Sequence, residues 1–159
     1  MAQTDFPPAL SLRASRTFAA PRPRVFRAWT TAEAVRRWFI EPTEGRWTED
    51  PYLDPRPGGQ YRFTGESGGK PWCVHGTYQE VQPPERLVFT WEWDDHPNPG
   101  DSGRTLVTVE FVERDGKTDL ILTQEGFPHE TSRQEHAAGW AGCFDSMESV
   151  LSAAEGGAS

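Results

Sequence analysis

The chain has 159 residues, 16 basic and 24 acidic side chains, and a net charge of −8. That length argues for one domain, and the acidic balance argues against nonspecific contact with nucleic-acid phosphates. Only 35% of the residues are hydrophobic, but seven are Trp and nine are Phe; each ring can bury about 150–250 Å², so the core is aromatic and prone to leave gaps.

At 17.9 kDa, mass scaling gives ~26,000 Å² of surface unfolded against ~8,000 Å² folded, enough burial for a core without disulfides. The two cysteines, Cys73 and Cys143, make no disulfide framework. They read as reduced thiols, with one bridge open to them if strand and helix bring them together. Residues 1–12 carry no basic region followed by an apolar run, so no signal peptide is expected. No stretch approaches the ~20 apolar residues of a membrane span. The expectation is a soluble cytoplasmic protein.

Residues 1–9 read as a loose arm. Leu10, Leu12, Ala14 and Phe18 then alternate with polar positions, the mark of a half-buried first strand. Pro21 and Pro23 end it and can sit in the first turn of a helix whose apolar face is Val25, Phe26 and Trp29. Thr30 and Glu33 stand in capping-box register before a second short helix carrying Val35, Trp38 and Phe39. Residues 46–53 read as a strand interrupted by Pro51, hence an edge or a bulge.

Further strands are expected over 60–64, 72–81 and 87–93. In the last of these Leu87, Phe89, Trp91 and Trp93 share one face. Residues 94–103 form a polar loop, read as a solvated rim. Two more strands, 105–113 and 118–125, meet across the tight turn Arg114-Asp115-Gly116-Lys117. The buried face of the sheet would carry Tyr61, Phe63, Leu87, Phe89, Trp91, Trp93, Val107, Val109, Phe111, Leu120 and Leu122.

The final stretch, 132–153, is the one long segment free of Pro. His136, Trp140, Phe144, Met147 and Leu151 recur at spacings of 4, 4, 3 and 4 residues, one face of a helix. Its 22 positions would span ~33 Å. Ser132 and Glu135 give a capping-box start, and Gly156-Gly157 a stop. Such a helix must lie across the sheet, because nothing else can cover its apolar stripe. Gly139 and Gly142 beside Trp140 suggest close backbone approach or deliberate space.

Several segments fall in a familiar order: Trp38-Phe39, Arg56-Pro57-Gly58-Gly59, Gly76-Thr77-Tyr78, the run from Pro83 to Trp91, and Gly139-Trp140. Over about residues 10–151 the sequence resembles the activator of heat-shock protein 90 ATPase homologues, within the START/SRPBCC helix-grip superfamily. The resemblance implies an α+β helix-grip fold. A curved antiparallel sheet of about six or seven strands would wrap a long C-terminal helix, with two short helices after the first strand and a hydrophobic cavity between helix and sheet. One domain over 10–154 follows, with loose ends at 1–9 and 155–159. Superfamily members bind lipids, sterols, polyketides and hormones, and a few are aromatases or cyclases.

Motif matches outside that frame read as structure. Gly65-Glu66-Ser67-Gly68-Gly69 matches G-x-S-x-G, but a nucleophile elbow needs a helix after it and a strand follows here, so this is a hairpin loop. His129, Glu130 and His136 lack metal-ligand spacing, and Asp94, Asp95, Asn98 and Asp101 lack the register of a calcium loop. No metal and no cofactor is expected.

The leading expectation is a binding protein for a small hydrophobic or amphipathic molecule. Phe63, Trp91, Trp93, Phe111, Trp140 and Phe144 would line the cavity, and His75, His136 or Gln124 would orient the ligand. His75 could face either way, since a bulge at Gly76 would flip it. Two rival readings stand beside it. One is an enzyme of the cyclase or aromatase type, working by acid/base chemistry. The other is a chaperone-associated stress-response module, which predicts an exposed apolar patch. Partners are then a small ligand, with a chaperone and a homodimer left open, and neither nucleic acid nor a membrane span.

Overall fold

The computed structural model describes residues 10–39, 45–94 and 104–157. Strand β1 (Ser11–Phe18) leads into two short helices, α1 (Arg22–Thr30) and α2 (Ala32–Trp38). Strands β2 (Gly45–Trp47), β3 (Tyr52–Leu53), β4 (Gln60–Ser67), β5 (Lys70–Gln82), β6 (Arg86–Asp94), β7 (Thr105–Arg114) and β8 (Lys117–Glu125) follow, and helix α3 (Glu130–Gly157) comes last. The expected arm at 1–9 and most of the expected rim loop, 95–103, lie outside the described residues.

The strands pair antiparallel in the order β1-β8-β7-β6-β5-β4-β2, with β3 also beside β4. The sheet has eight strands, more than expected, because the 46–53 segment divides. Pro51 has no N–H to donate to a ladder; β2 pairs at Gly65 to Ser67 and β3 at Tyr61 and Arg62, both along β4. This is the helix-grip architecture: a curved antiparallel sheet with a long C-terminal helix on its inner face. No helix among the described residues is long and apolar enough to cross a membrane.

Period-two alternation sets the inner face. Tyr61 and Phe63 on β4, Leu87, Phe89 and Trp91 on β6, Val107, Val109 and Phe111 on β7, and Leu120 and Leu122 on β8 are all buried; Trp93 is half-buried. On α3 the predicted stripe turns inward, with Trp140, Phe144, Met147 and Leu151 buried and His136 half-buried. Val25, Phe26, Ala28 and Trp29 on α1, with Val35 and Trp38 on α2, close the core at one end. The folded surface is 8582 Å², so roughly two-thirds of the unfolded chain's surface is removed from water.

Neither predicted capping box forms. Helix α2 starts after Thr31, and no side chain caps it. The Thr30 and Thr31 hydroxyls donate backwards instead, to the Phe26 and Arg27 carbonyls that end α1. Helix α3 starts two residues before the expected Ser132, and the backbone N–H of Ser132 donates to Nδ1 of His129 at 3.2 Å. It also continues through Gly156 and Gly157 instead of stopping there. The irregularity in β5 lies between Tyr78 and Glu80, not at Gly76. His75 therefore keeps the register of its neighbours: Val74 is fully buried opposite Phe63, while His75 pairs with Arg62 and Glu92 and is half-buried.

Candidate functional site: an aromatic hollow between helices and sheet

Rings from six places converge above the inner face of the sheet. Trp29 comes from α1, Val35 and Trp38 from α2, and Phe39 from the residue that ends α2; Tyr61, Phe63, Tyr78, Phe89 and Trp91 come from β4 to β6, and Trp140 from α3. Together they bound a hollow in which the centre of a water molecule can occupy about 20 Å³. That is room for about one water, far below the ~300–1,000 Å³ of a ligand pocket. The hollow is nearly closed. The rings that were expected to leave it open interdigitate and fill it.

Trp140 is the hub of this packing. Trp29 stacks on it with ring centroids 5.8 Å apart and an interplanar angle of 27°, and Trp91 leans on it at 5.1 Å. Phe39 covers the β4–β6 side, with its ring 5.1 Å from Phe63, 5.9 Å from Trp91, 5.9 Å from Trp72 and 6.0 Å from Trp47.

The polar atoms of the lining divide into two groups. Three are committed: Trp38 Nε1 donates to the Ala28 carbonyl at 2.7 Å, Trp140 Nε1 to Gln124 Oε1 at 2.8 Å, and the Tyr61 hydroxyl to the Thr90 carbonyl at 2.5 Å. Burial, with smaller pushes from Tyr78 and Glu92, holds the Tyr61 phenol well above its ordinary range; burial and then Asp54 raise that of Tyr78. The other group is Nε1 of Trp29 and Nε1 of Trp91, both buried and both without an acceptor among the described residues. Among the described residues the lining holds no Asp, Glu, His, Lys, Arg, Ser or Cys.

Of the residues singled out from sequence, Phe63, Trp91 and Trp140 reach the hollow. Phe111 and Phe144 lie in the surrounding core, the first against Phe26 and Trp29, the second against Phe18 and Trp140, with the Arg16 guanidinium over its ring. Gln124 is fully buried, but its amide is bonded to Trp140 and to Thr105 Oγ1 at 2.8 Å. His136 accepts from Trp93 Nε1 at 2.9 Å through its own Nε2. Its Nδ1 lies 2.8 Å from the Ser132 carbonyl, which can only accept. These two partners suit the tautomer with the proton on Nδ1. His75 lies on the other face of the sheet and meets Asp94 Oδ1 at 3.1 Å.

The residues missed from sequence are Trp29, Val35, Trp38 and Phe39. Their signal was present, in the apolar faces of the two short helices, but those faces read as ordinary packing. The Gly-rich 65–69 segment is a hairpin, with Gly68 and Gly69 at positive φ between β4 and β5. Cys73 is a free thiol, and the Cys143 thiol donates towards the Phe39 carbonyl at 3.6 Å. Among the described residues no group of three or more His, Cys, Asp or Glu is placed to hold a metal ion.

Comparison with known proteins gives a consistent result. The model of a protein family described as activator of Hsp90 ATPase homolog 1-like protein matches residues 19–152. No curated protein matches the sequence. Among solved structures, protein CV1439 from Chromobacterium violaceum is 26% identical with a TM-score of 0.77, over 89% of this chain and 96% of that one. An uncharacterized protein from Rhizobium leguminosarum is 27% identical with a TM-score of 0.73, over 89% and 93%. The AHSA1 protein from Silicibacter pomeroyi shares the fold at 23% identity, with a TM-score of 0.76 over 89% and 97%.

Proposed function

We propose, from the premise that this chain belongs to the activator of Hsp90 ATPase homolog 1-like family, that it binds a small hydrophobic molecule between α3 and the inner face of the sheet. The observation that carries this reading is the convergence of aromatic rings from both layers on one hollow whose described lining has no ionisable group other than tyrosine. Burial there would drive binding at about 25 cal/mol per Å² of apolar surface. Phe63, Trp91 and Trp140 would form the wall.

Entry requires a ring to move, since the hollow as it stands takes no more than about one water. Phe39 is the ring placed to do so. It ends α2, is half-buried, and meets Trp47, Phe63, Trp72 and Trp91 through ring contacts. Apolar cavities of about 150 Å³ take up a single benzene, so Phe39→Ala should admit one-ring ligands that the parent chain binds weakly. Native mass spectrometry of protein purified from its own host, beside thermal shift of both forms with apolar ligands, tests this. A ligand at 100 times its Kd should add about 2.7 kcal/mol of stability. No co-purifying mass, and no shift in either form, would remove the reading.

The family description also names Hsp90 ATPase activation, which supports a chaperone-linked role as the second reading. Among the described residues the large hydrophobic side chains most open to solvent are Tyr52 and Val112, a small surface for protein docking. Stimulation of a chaperone ATPase by the purified chain would favour that role. An acid/base enzyme has less support, because tyrosines are the only titratable groups in the lining among the described residues. We place the protein in the cytoplasm, a reading supported by the free thiol of Cys73.

A further inference from the structure

All seven tryptophans stand on one unbroken line of ring contacts. Trp38 meets Trp29 with centroids 4.9 Å apart, Trp29 meets Trp140 at 5.8 Å, and Trp140 meets Trp91 at 5.1 Å. The line continues to Trp93 at 5.7 Å, then Trp72 at 6.3 Å and Trp47 at 5.9 Å. The first four rings are buried and the last three half-buried, so the line runs from the core to the edge strand β2. Electron tunnelling decays exponentially with separation, so rings in contact pass a one-electron vacancy readily. Indole is among the most easily oxidised side chains. Where the vacancy rests depends on a proton: an indole radical cation is acidic at Nε1 and is trapped when a base takes that proton.

The acceptors along the line are unequal. Trp38, Trp47 and Trp140 donate to amide oxygens, those of Ala28, Arg36 and Gln124, which are too weakly basic to take a proton. Trp29 and Trp91 have no acceptor among the described residues. The nearby Tyr61 hydroxyl also faces a carbonyl, that of Thr90. Among the described residues, only Trp93 gives its N–H to a nitrogen base, Nε2 of His136 at 2.9 Å, and imidazole is basic near neutral pH. His136 Nδ1 lies 2.8 Å from the Ser132 carbonyl, an acceptor that serves an imidazolium as well as a neutral ring.

We propose that Trp93 and His136 form a proton-coupled redox pair, at which a vacancy entering the tryptophan line comes to rest. The co-reactant is a small one-electron oxidant of the peroxyl-radical or oxidised metal-complex type, meeting the half-buried end of the line. It takes one electron from Trp47 or Trp72 and is itself reduced. Each ring in turn is refilled by its neighbour until Trp93 is the one left oxidised. The Trp93 Nε1–H bond then breaks, its proton passes to His136 Nε2, and the pair becomes a neutral indolyl radical beside an imidazolium. The buried rings beyond Trp93 do not hold the vacancy, because a cation in apolar surroundings with no base beside it is costly. This inference is independent of the binding reading above.

The test is laser flash oxidation of the full chain by tris(bipyridine)ruthenium(III), generated in place with a cobalt(III) ammine quencher. Transient absorption separates the cationic from the neutral tryptophan radical. The parent chain should give the neutral radical promptly. His136→Gln keeps an acceptor for the Trp93 N–H but removes the base, and should slow proton loss by roughly 100-fold or more. Trp93→Phe should abolish the prompt neutral radical, and Trp72→Phe, which cuts the line, should lower its yield several-fold. Unchanged behaviour in any of these three variants overturns the inference, as does a parent chain that forms no tryptophan radical. Should a variant not fold, the parent chain still decides: with ¹⁵N-labelled histidine, electron–nuclear double resonance should find a histidine nitrogen at hydrogen-bond distance from the trapped radical, and its absence overturns the assignment.

Discussion

Gly139 and Gly76 show how differently one residue type can be used. In the sequence Gly139 stands beside Trp140 and reads as a point of close approach. It lies instead on the solvent side of α3, where a Cβ would meet nothing within 4 Å. Gly76 is the true close approach: a Cβ there would fall 1.9 Å from the Thr90 carbonyl oxygen and 2.7 Å from the Tyr61 ring. That crowding goes with the Tyr61–Thr90 hydrogen bond beside the hollow. A mid-helix glycine open to solvent only weakens its helix, by about 1 kcal/mol relative to alanine. Gly139→Ala should therefore raise stability by roughly 0.5–1 kcal/mol and the Tm by a few degrees, read by differential scanning calorimetry. A drop in Tm would show that the position faces something after all.

At the scale of elements, local chemistry predicted turns better than helix starts. Asp115 and Gly116 both take positive φ, as the expected tight turn between β7 and β8 requires. Asp119, just past that turn, is gripped by the Arg114 guanidinium at 2.8 and 3.0 Å and by the Thr17 hydroxyl at 2.7 Å, which ties β1 to the hairpin. Those bonds, Arg114 first, hold its carboxyl below the ordinary 3.8. A depressed carboxylate contributes stability that is complete above pH 3.8 and is lost as pH falls through the lower folded value. Urea midpoints followed downward from pH 5 should decline less steeply in Asp119→Asn than in the parent chain; equal slopes would mean the grip has no energetic weight. The capping boxes failed for a different reason. Thr30 ends α1 and Thr31 follows it, and carbonyls in the last turns of that helix take their hydroxyl protons, while Ser132 lies inside a first turn already held by His129. A four-residue pattern cannot reveal a nearer competing acceptor or an earlier start.

Across the whole molecule, the strand-borne half of the hollow was legible in period-two alternation, and the α3 face in its 4-4-3-4 spacing. The half supplied by α1 and α2 was not, since nothing in a nine-residue and a seven-residue helix says which neighbour they cover. Nor was the near closure, because free volume depends on how the rings interleave. One polar thread joins the layers: Trp140 on α3 donates to Gln124 on β8, Gln124 to Thr105 on β7, and Thr105 to the Trp91 carbonyl on β6. Gln124→Leu would strand the Trp140 N–H without a partner. It should lower unfolding free energy by roughly 1–3 kcal/mol for each group left unpaired, seen as a lower urea midpoint at an unchanged m-value. A neutral outcome would mean the thread is incidental to how helix and sheet hold together.

The ring packing around Trp140 has an optical consequence. Indoles held this close exchange excitation energy, and those buried away from water emit towards the blue. Trp29, Trp38, Trp91 and Trp140 all border the same hollow, so the fluorophores sit where a guest would arrive. Any guest that parts them, or contacts a ring directly, will alter emission wavelength, intensity and anisotropy together. The proposed binding can thus be read in a cuvette, without a label, before any ligand has been identified.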